Sequence, residues 1–191
     1  MLALRGLLSL FLLPMISIGA WAEAELPIPQ GPVILEVSGK ISQTNHGDEA
    51  HFDYAMLESL GMHEIATHTP WTEGLIRFEG PLAQDLLDAV GAQGSRLMIK
   101  GLDGYIAEVP ASDFYRHEVI LALSKNGERL RVRDRGPIII VYPFDQKPEL
   151  LTEEIRFRSV WQVMSIHVEG TTSTQRKEQH GANDRFYIVE C

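Results

Sequence analysis

Apolar and polar positions along the chain divide it into short elements. "VILEVSG", Val33 to Gly39, is an apolar-rich run bounded by a glycine, which predicts a strand. "HFDYAMLESLG" places Phe52, Met56, Leu57 and Leu60 at helical spacing and stops at Gly61. "HEIATHT" returns to extended chain. "GPLAQDLLDAVG" predicts the clearest helix, with Pro81 in its first turn and Leu82, Leu86, Leu87 and Val90 on one face. Gly91 is suited to close it in the left-handed conformation. Strands follow at "RLMIKG" and "YIAEVP", then a short turn or helix at "ASDFY", then a strand at "EVILALS". The pair Asn126-Gly127 predicts a tight hairpin into "ERLRVR". "PIIIVYP" and the alternating "SVWQVMSIHVEG" complete the strands. Strands outnumber helices, and the helices come early and singly. The reading is a single α+β domain built on a mixed or antiparallel sheet.

The two ends differ from this body. "MLALRGLLSLFLLPMISIGAWA" has one basic residue, an apolar run and the small-x-small site Ala20-Trp21-Ala22. That is the pattern of a secretory signal peptide cleaved after Ala22, so residues 1–22 are expected to be removed. The apolar run is short for a membrane span and contains Pro14, so no membrane insertion is expected after cleavage. Residues 23–31 read as an extended leader, residues 32–169 as the domain, and residues 170–191 as a polar tail.

The chain has 191 residues, 45% of them hydrophobic and 23% charged, which is a globular composition able to bury a core. The net charge of −9 argues against nucleic acid and anionic membrane surfaces as partners. The single cysteine, Cys191, excludes an intrachain disulfide. A bridge-free exported domain of this size fits the bacterial periplasm. The seven histidines show no trusted metal-site spacing, His46 and His51 lying five apart in a glycine-containing loop. No phosphate loop, CxxC or serine–histidine–aspartate order is present.

Five segments in order resemble the molybdopterin-binding domain of the sulfite oxidase family. They are "FEGPLAQDLL" (Phe78 to Leu87), "DGYIAEVP" (Asp103 to Pro110), "LALSKNGERL" (Leu121 to Leu130), "RGPIIIVYP" (Arg135 to Pro143) and "SVWQVMSIHVE" (Ser159 to Glu169). The resemblance implies a compact domain of the sulfite oxidase type with a mixed sheet. The enzymes hold molybdenum through a cysteine thiolate just before the segment that aligns with "FEGPL". In this chain that place falls within Thr67-His68-Thr69. Threonine and histidine do not replace an anionic sulfur donor.

The chain therefore resembles a cysteine-free branch of small periplasmic proteins. That resemblance implies a reduced pterin held as ligand rather than as redox cofactor, with no molybdenum. It further implies a partner, the periplasmic domain of an inner-membrane signalling protein with cyclic di-GMP synthesis and degradation domains, and so control of biofilm formation. The alternative left open is a molybdenum-cofactor oxidoreductase, or a degenerate remnant of one.

A pterin needs an aromatic surface to stack on and acceptors for its amino-pyrimidinone edge. Trp71, after the stiff Pro70, is the first candidate surface; the other reading folds it onto the core. Thr69 and Thr72 offer hydroxyls to a ligand or to their own turn. Glu73 is a candidate carboxylate or a solvated side chain. His68 is a ligand contact or a structural histidine. Asp103 and Tyr105 form a second candidate cluster, although Asp103-Gly104 equally reads as a β-turn. Arg135, beside Arg133 and Asp134, is a candidate for an anionic group or part of a solvated hairpin. Trp161, alternating with Val163, is expected in the core.

Overall fold

The computed structural model describes residues 25–170. The expected signal peptide, its cleavage site and the tail with Cys191 lie outside the described residues, as do the first two residues of the leader. No helix among the described residues is long and apolar enough to cross a membrane.

The chain runs β1 (Leu35–Gly39), β2 (Ala50–Phe52), α1 (Tyr54–Ser59), β3 (His63–Thr67), β4 (Ile76–Gly80), α2 (Ala83–Ala89), β5 (Arg96–Gly101) and β6 (Ile106–Pro110). It continues through α3 (Ala111–Arg116), β7 (Ile120–Ala122), β8 (Ser124–Lys125), β9 (Glu128–Arg129), β10 (Ile139–Val141), α4 (Glu153–Arg158) and β11 (Val163–Glu169). The main sheet has the order β2-β1-β11-β5-β6. Its β1–β11 pair is parallel and its other pairs are antiparallel, so the sheet is mixed. A four-stranded sheet β3-β4-β8-β9 and the pair β10-β7 make up the rest.

Alternation decides which faces are buried. Leu35 and Val37 on β1, Leu97 and Ile99 on β5, and Ala107 and Val109 on β6 face the core while their neighbours face out. On β11 the buried positions are Val163, Ile166 and Val168, which are not of one parity. A register shift between Val163 and Ser165 accounts for the change of phase. Each fully buried leucine, isoleucine or phenylalanine contributes about 1.5–3 kcal/mol. Helix α2 packs Leu86, Leu87 and Val90 into this core. A smaller cluster of Ile65, Phe78, Ile120, Leu130, Ile139 and Val141 fills the space beside β4, β7 and β10.

Several expectations are corrected. Phe52 belongs to β2 rather than to a helix, and α1 begins after Asp53, whose carboxylate caps it by accepting from Met56 N at 2.9 Å. Pro81 precedes helix α2, whose N-cap is Leu82. The Pro81 carbonyl accepts from Leu121 N at 2.9 Å and Leu82 bridges Ile120, so this stretch stays extended. "ERLRVR" is strand only at Glu128–Arg129, and Val132–Asp134 forms a 3-10 turn ended by Arg135 in the left-handed region, φ 70°. Helix α4 contradicts the expectation that helices come only early. It is capped by Thr152, has acids in its first turn and arginines in its last, and buries only Ile155.

A buried polar knot holds α4 to the body. Asp113 on α3 accepts from Tyr142 Oη at 3.1 Å and from Arg158 Nη1 at 3.0 Å, and Arg158 also pairs with Glu154. Burial first, and then the Asp113 charge, push the Tyr142 phenol well above its ordinary range. This knot fixes the wall against which two surface concavities form.

Candidate functional site

The loop after β3 carries four of the candidate residues. Thr67 is buried, and its hydroxyl lies within bonding range of the His68 carbonyl (3.1 Å) and Asp145 Oδ1 (3.3 Å). The same hydroxyl accepts from Asp145 N at 3.1 Å. Asp145 Oδ1 accepts from His68 N at 3.1 Å, and Asp145 Oδ2 lies 2.8 Å from His68 Nδ1. The His68 side chain, then burial opposing it, then the His68 backbone set the balance that holds the Asp145 carboxyl below its ordinary value. Thr69 is also buried; its hydroxyl shares a 2.6 Å hydrogen bond with that of Thr72. Thr72 N closes the Thr69-Pro70-Trp71-Thr72 turn on the Thr69 carbonyl at 3.3 Å. Proline at the second position suits such a turn.

Trp71, inside this turn, is half-buried and packs against the main core. It meets two other aromatics edge-on, Phe144 at 6.1 Å and 81°, and Trp161 at 6.1 Å and 70°. Its carbonyl accepts from Arg135 Nη1 at 2.9 Å. The Arg135 guanidinium carbon lies 5.0 Å from the centroid of the Trp161 ring, a cation–π contact. Trp161 is 36% exposed, contrary to the expectation of a core residue. The cause is local: Gln162 has φ 52°, which breaks the strand alternation between Trp161 and the buried Val163. Gln162 N donates to the Arg135 carbonyl at 2.9 Å, so two left-handed non-glycine residues brace each other beside Trp161. Such backbone costs about 1–3 kcal/mol per residue, and it concentrates where geometry serves a site.

The second cluster lies in the β5–β6 turn. Asp103 Oδ1 accepts from Tyr105 N at 3.0 Å, which closes the turn. Tyr105 Oη donates to the Phe157 carbonyl at 2.9 Å and ties the turn to α4.

Two concavities result. The larger, about 780 Å³, is lined by His68, Thr69 and Pro70 on one side and by Phe144, Asp145 and α4 residues on the other. The smaller, about 240 Å³, is lined by Asp103, Tyr105, Ser159 and Trp161. Arg156 on α4 borders both. The structure thus brings His68 and Thr69 to one concavity and Asp103 and Tyr105 to the other. Trp71 and Arg135 support the Trp161 ring but line neither. Thr72 is engaged with Thr69, and Glu73 is exposed on the loop and lines neither concavity.

No local pattern in the sequence marks Phe144, Asp145 or Arg156 as site residues, and the alternation of Trp161 with Val163 points Trp161 to the core. Arg156 sat in a polar stretch with no apolar periodicity. Asp145 follows the "PIIIVYP" strand, and nothing local pointed it at His68.

A family model for the oxidoreductase molybdopterin binding domain matches residues 51–145. That match places the domain in this family, which is of the sulfite oxidase type. Among solved structures it is similar to the sulfane dehydrogenase SoxCD from Paracoccus pantotrophus, with 18% identity and a TM-score of 0.54. That match covers 75% of this chain and 39% of the SoxCD chain, so this chain spans well under half of its structural relative. The likeness shows the fold. No curated protein matches the sequence.

The residues at the thiolate place do not fit a molybdenum held in the family's manner. Thr67 and Thr69 are buried with their hydroxyls already bonded, His68 Nδ1 faces Asp145, and no cysteine occurs among the described residues. Thr67, His68 and Thr69 supply no anionic sulfur there, and neither a neutral hydroxyl nor an imidazole stands in for one.

Proposed function

We propose that the protein is a periplasmic, non-catalytic binding protein for a reduced pterin. In this reading it regulates an inner-membrane partner whose other domains make and degrade cyclic di-GMP, and thereby biofilm formation. One observation supports the ligand half: a concavity beside Trp161 lies in a domain of the molybdopterin-binding family, while the place where the resemblance puts the enzymes' thiolate is filled by side chains bonded to one another. A cleft without its metal donor still offers what a pterin ring needs.

The braced Trp161 face supplies a stacking surface beside Asp103, Ser159 and Arg156. Stacking on such a ring contributes about 0.5–1.5 kcal/mol beyond the area it buries. Charged hydrogen bonds to the heterocycle edge contribute about 1.5–3 kcal/mol each. Trp71 acts behind this surface, through its contacts to Trp161 and Phe144, rather than as the stacking face itself.

The test begins with protein purified from periplasm. Small molecules are released and measured for pterin fluorescence, and molybdenum is measured in parallel. The expected result is a bound pterin without stoichiometric molybdenum. Stoichiometric molybdenum refutes the reading, as does the absence of both bound pterin and any thermal shift with added reduced pterins. Trp161→Ala is expected to weaken pterin binding by up to about tenfold, the equivalent of the stacking energy. Trp71→Ala is expected to lower the melting temperature as well as the affinity. For the partner half, cyclic di-GMP is measured in cells carrying Trp161→Ala; an unchanged level despite lost binding removes the signalling role.

A further inference from the structure

A second cluster of chemically competent side chains lies on the hairpin that leads into β2, and none of its residues lines either concavity. His46 and Glu49 form an isolated antiparallel bridge, with His46 N to Glu49 O at 3.1 Å and Glu49 N to His46 O at 3.0 Å. Gly47, at φ 62°, and Asp48 make the two-residue loop between them. Two residues beyond Glu49, His51 pairs with Glu36 of β1. The imidazole rings of His46 and His51 stack at 4.3 Å and 19°. Glu49 Oε2 lies 2.8 Å from His51 Nε2.

The backbone under these side chains is fixed. Asn45 Oδ1 accepts from His51 N at 2.7 Å, and Asn45 Nδ2 donates to the carbonyls of His51 at 2.9 Å and Pro27 at 2.6 Å. One ligand-capable atom from each of His46, Glu49 and His51 lies within 4.8 Å of the other two. Tetrahedral bonds of about 2.0–2.1 Å place ligand atoms about 3.3 Å apart. His46 is exposed, so its side chain has room to leave the stack and turn a ring nitrogen toward the other two donors.

We propose that His46, Glu49 and His51 hold one transition-metal ion of the Zn(II) type, with water completing its coordination. Two imidazoles and a carboxylate are the donor set that Zn(II) takes with three protein ligands. Hard ions such as Mg(II) and Ca(II) prefer all-oxygen sets, so this trio selects against them. The order of divalent affinities places Cu(II) and Ni(II) as competitors for the same donors. The bound ion cross-links the two ends of the 46–51 hairpin. Through Asn45 it also steadies the leader at Pro27. The inference stands apart from the pterin reading and survives its failure.

The experiment uses the chain without a polyhistidine tag, stripped with chelator, and titrates it calorimetrically with Zn(II) up to about 100 μM, a range that detects micromolar dissociation constants. One site per chain is expected. His46→Ala, at an exposed position, leaves the far-ultraviolet circular dichroism unchanged and is expected to lower the affinity about tenfold or more, as is His51→Ala. Replacement of Zn(II) by Co(II) is expected to give visible absorption that His46→Ala removes. His167→Ala, whose ring contacts Ser38 instead, leaves the site intact. No saturable one-site binding overturns the proposal. Unchanged affinity and Co(II) spectrum in His46→Ala overturn it equally, by moving the ion to other donors.

Discussion

Arg135 offers the sharpest test of how the cleft is built, because its backbone and its side chain pull in opposite directions. Its guanidinium bonds the Trp71 carbonyl and lies against Trp161, while its φ of 70° is a conformation that a residue with a Cβ adopts at a cost. Arg135→Ala removes both contacts and keeps the backbone cost. A charge-assisted bond contributes about 1.5–3 kcal/mol when buried, which screening at this half-exposed place reduces to about 1 kcal/mol. The cation–π contact adds about 0.5–1 kcal/mol. The alanine variant is therefore expected to lose about 1.5–2 kcal/mol.

Arg135→Gly loses the same contacts but relieves the left-handed penalty of about 1–2 kcal/mol. Against this stands about 0.4–1 kcal/mol of added freedom in the unfolded chain. The glycine variant should thus be about 0.5–1 kcal/mol more stable than the alanine variant, although glycine is ordinarily the worse substitute. Urea unfolding followed by far-ultraviolet circular dichroism measures both. With a slope of about 2 kcal/mol/M, Arg135→Ala moves the midpoint down by about 1 M, and Arg135→Gly recovers up to half of that. If glycine is equal to or worse than alanine, the strain argument is wrong. If alanine unfolds with the wild type, the contacts to Trp71 and Trp161 do not hold the rim.

Two further outcomes follow from the fold. Gly80→Ala drives a Cβ into the Leu121 carbonyl on the neighbouring strand β7, and is expected to cost about 1–3 kcal/mol in the same unfolding assay. Asp53 accepts from the backbone of Met56, Gly31 and Gln30, with Met56 first, and these bonds hold its carboxyl below the ordinary 3.8. A depressed folded value contributes stability that is present above the unfolded value and is lost as pH falls through the folded one. Wild type should therefore lose stability below about pH 4 more steeply than Asp53→Asn does; parallel acid profiles would contradict this.

Much of the fold was legible because its residues obey one period at a time. Leu35 and Val37 alternate cleanly, Leu86, Leu87 and Val90 recur at helical spacing, and Asn126-Gly127 marks its hairpin without ambiguity. The misreadings fall where tertiary pairing overrides a local pattern. Phe52 fits a helical spacing, yet its backbone pairs with Leu35. Trp161 fits a strand alternation, yet Gln162 breaks it. Helix α4 buries too little for periodicity to show it, and it stands because Asp113 and Tyr142 anchor Arg158. The cleft is made by meetings such as His68 with Asp145, 77 positions apart, which no local pattern encodes.

The edge-on contact between Trp71 and Trp161 has an optical consequence. They are the only tryptophans among the described residues, and the chain's third, Trp21, belongs to the segment expected to be cleaved. The tryptophan emission of the processed protein would then come entirely from one indole pair, with a guanidinium against one ring and solvent beside it. A planar chromophore settling on Trp161 would quench that emission by contact and by energy transfer from its neighbour, so the protein would report its own occupancy without a label.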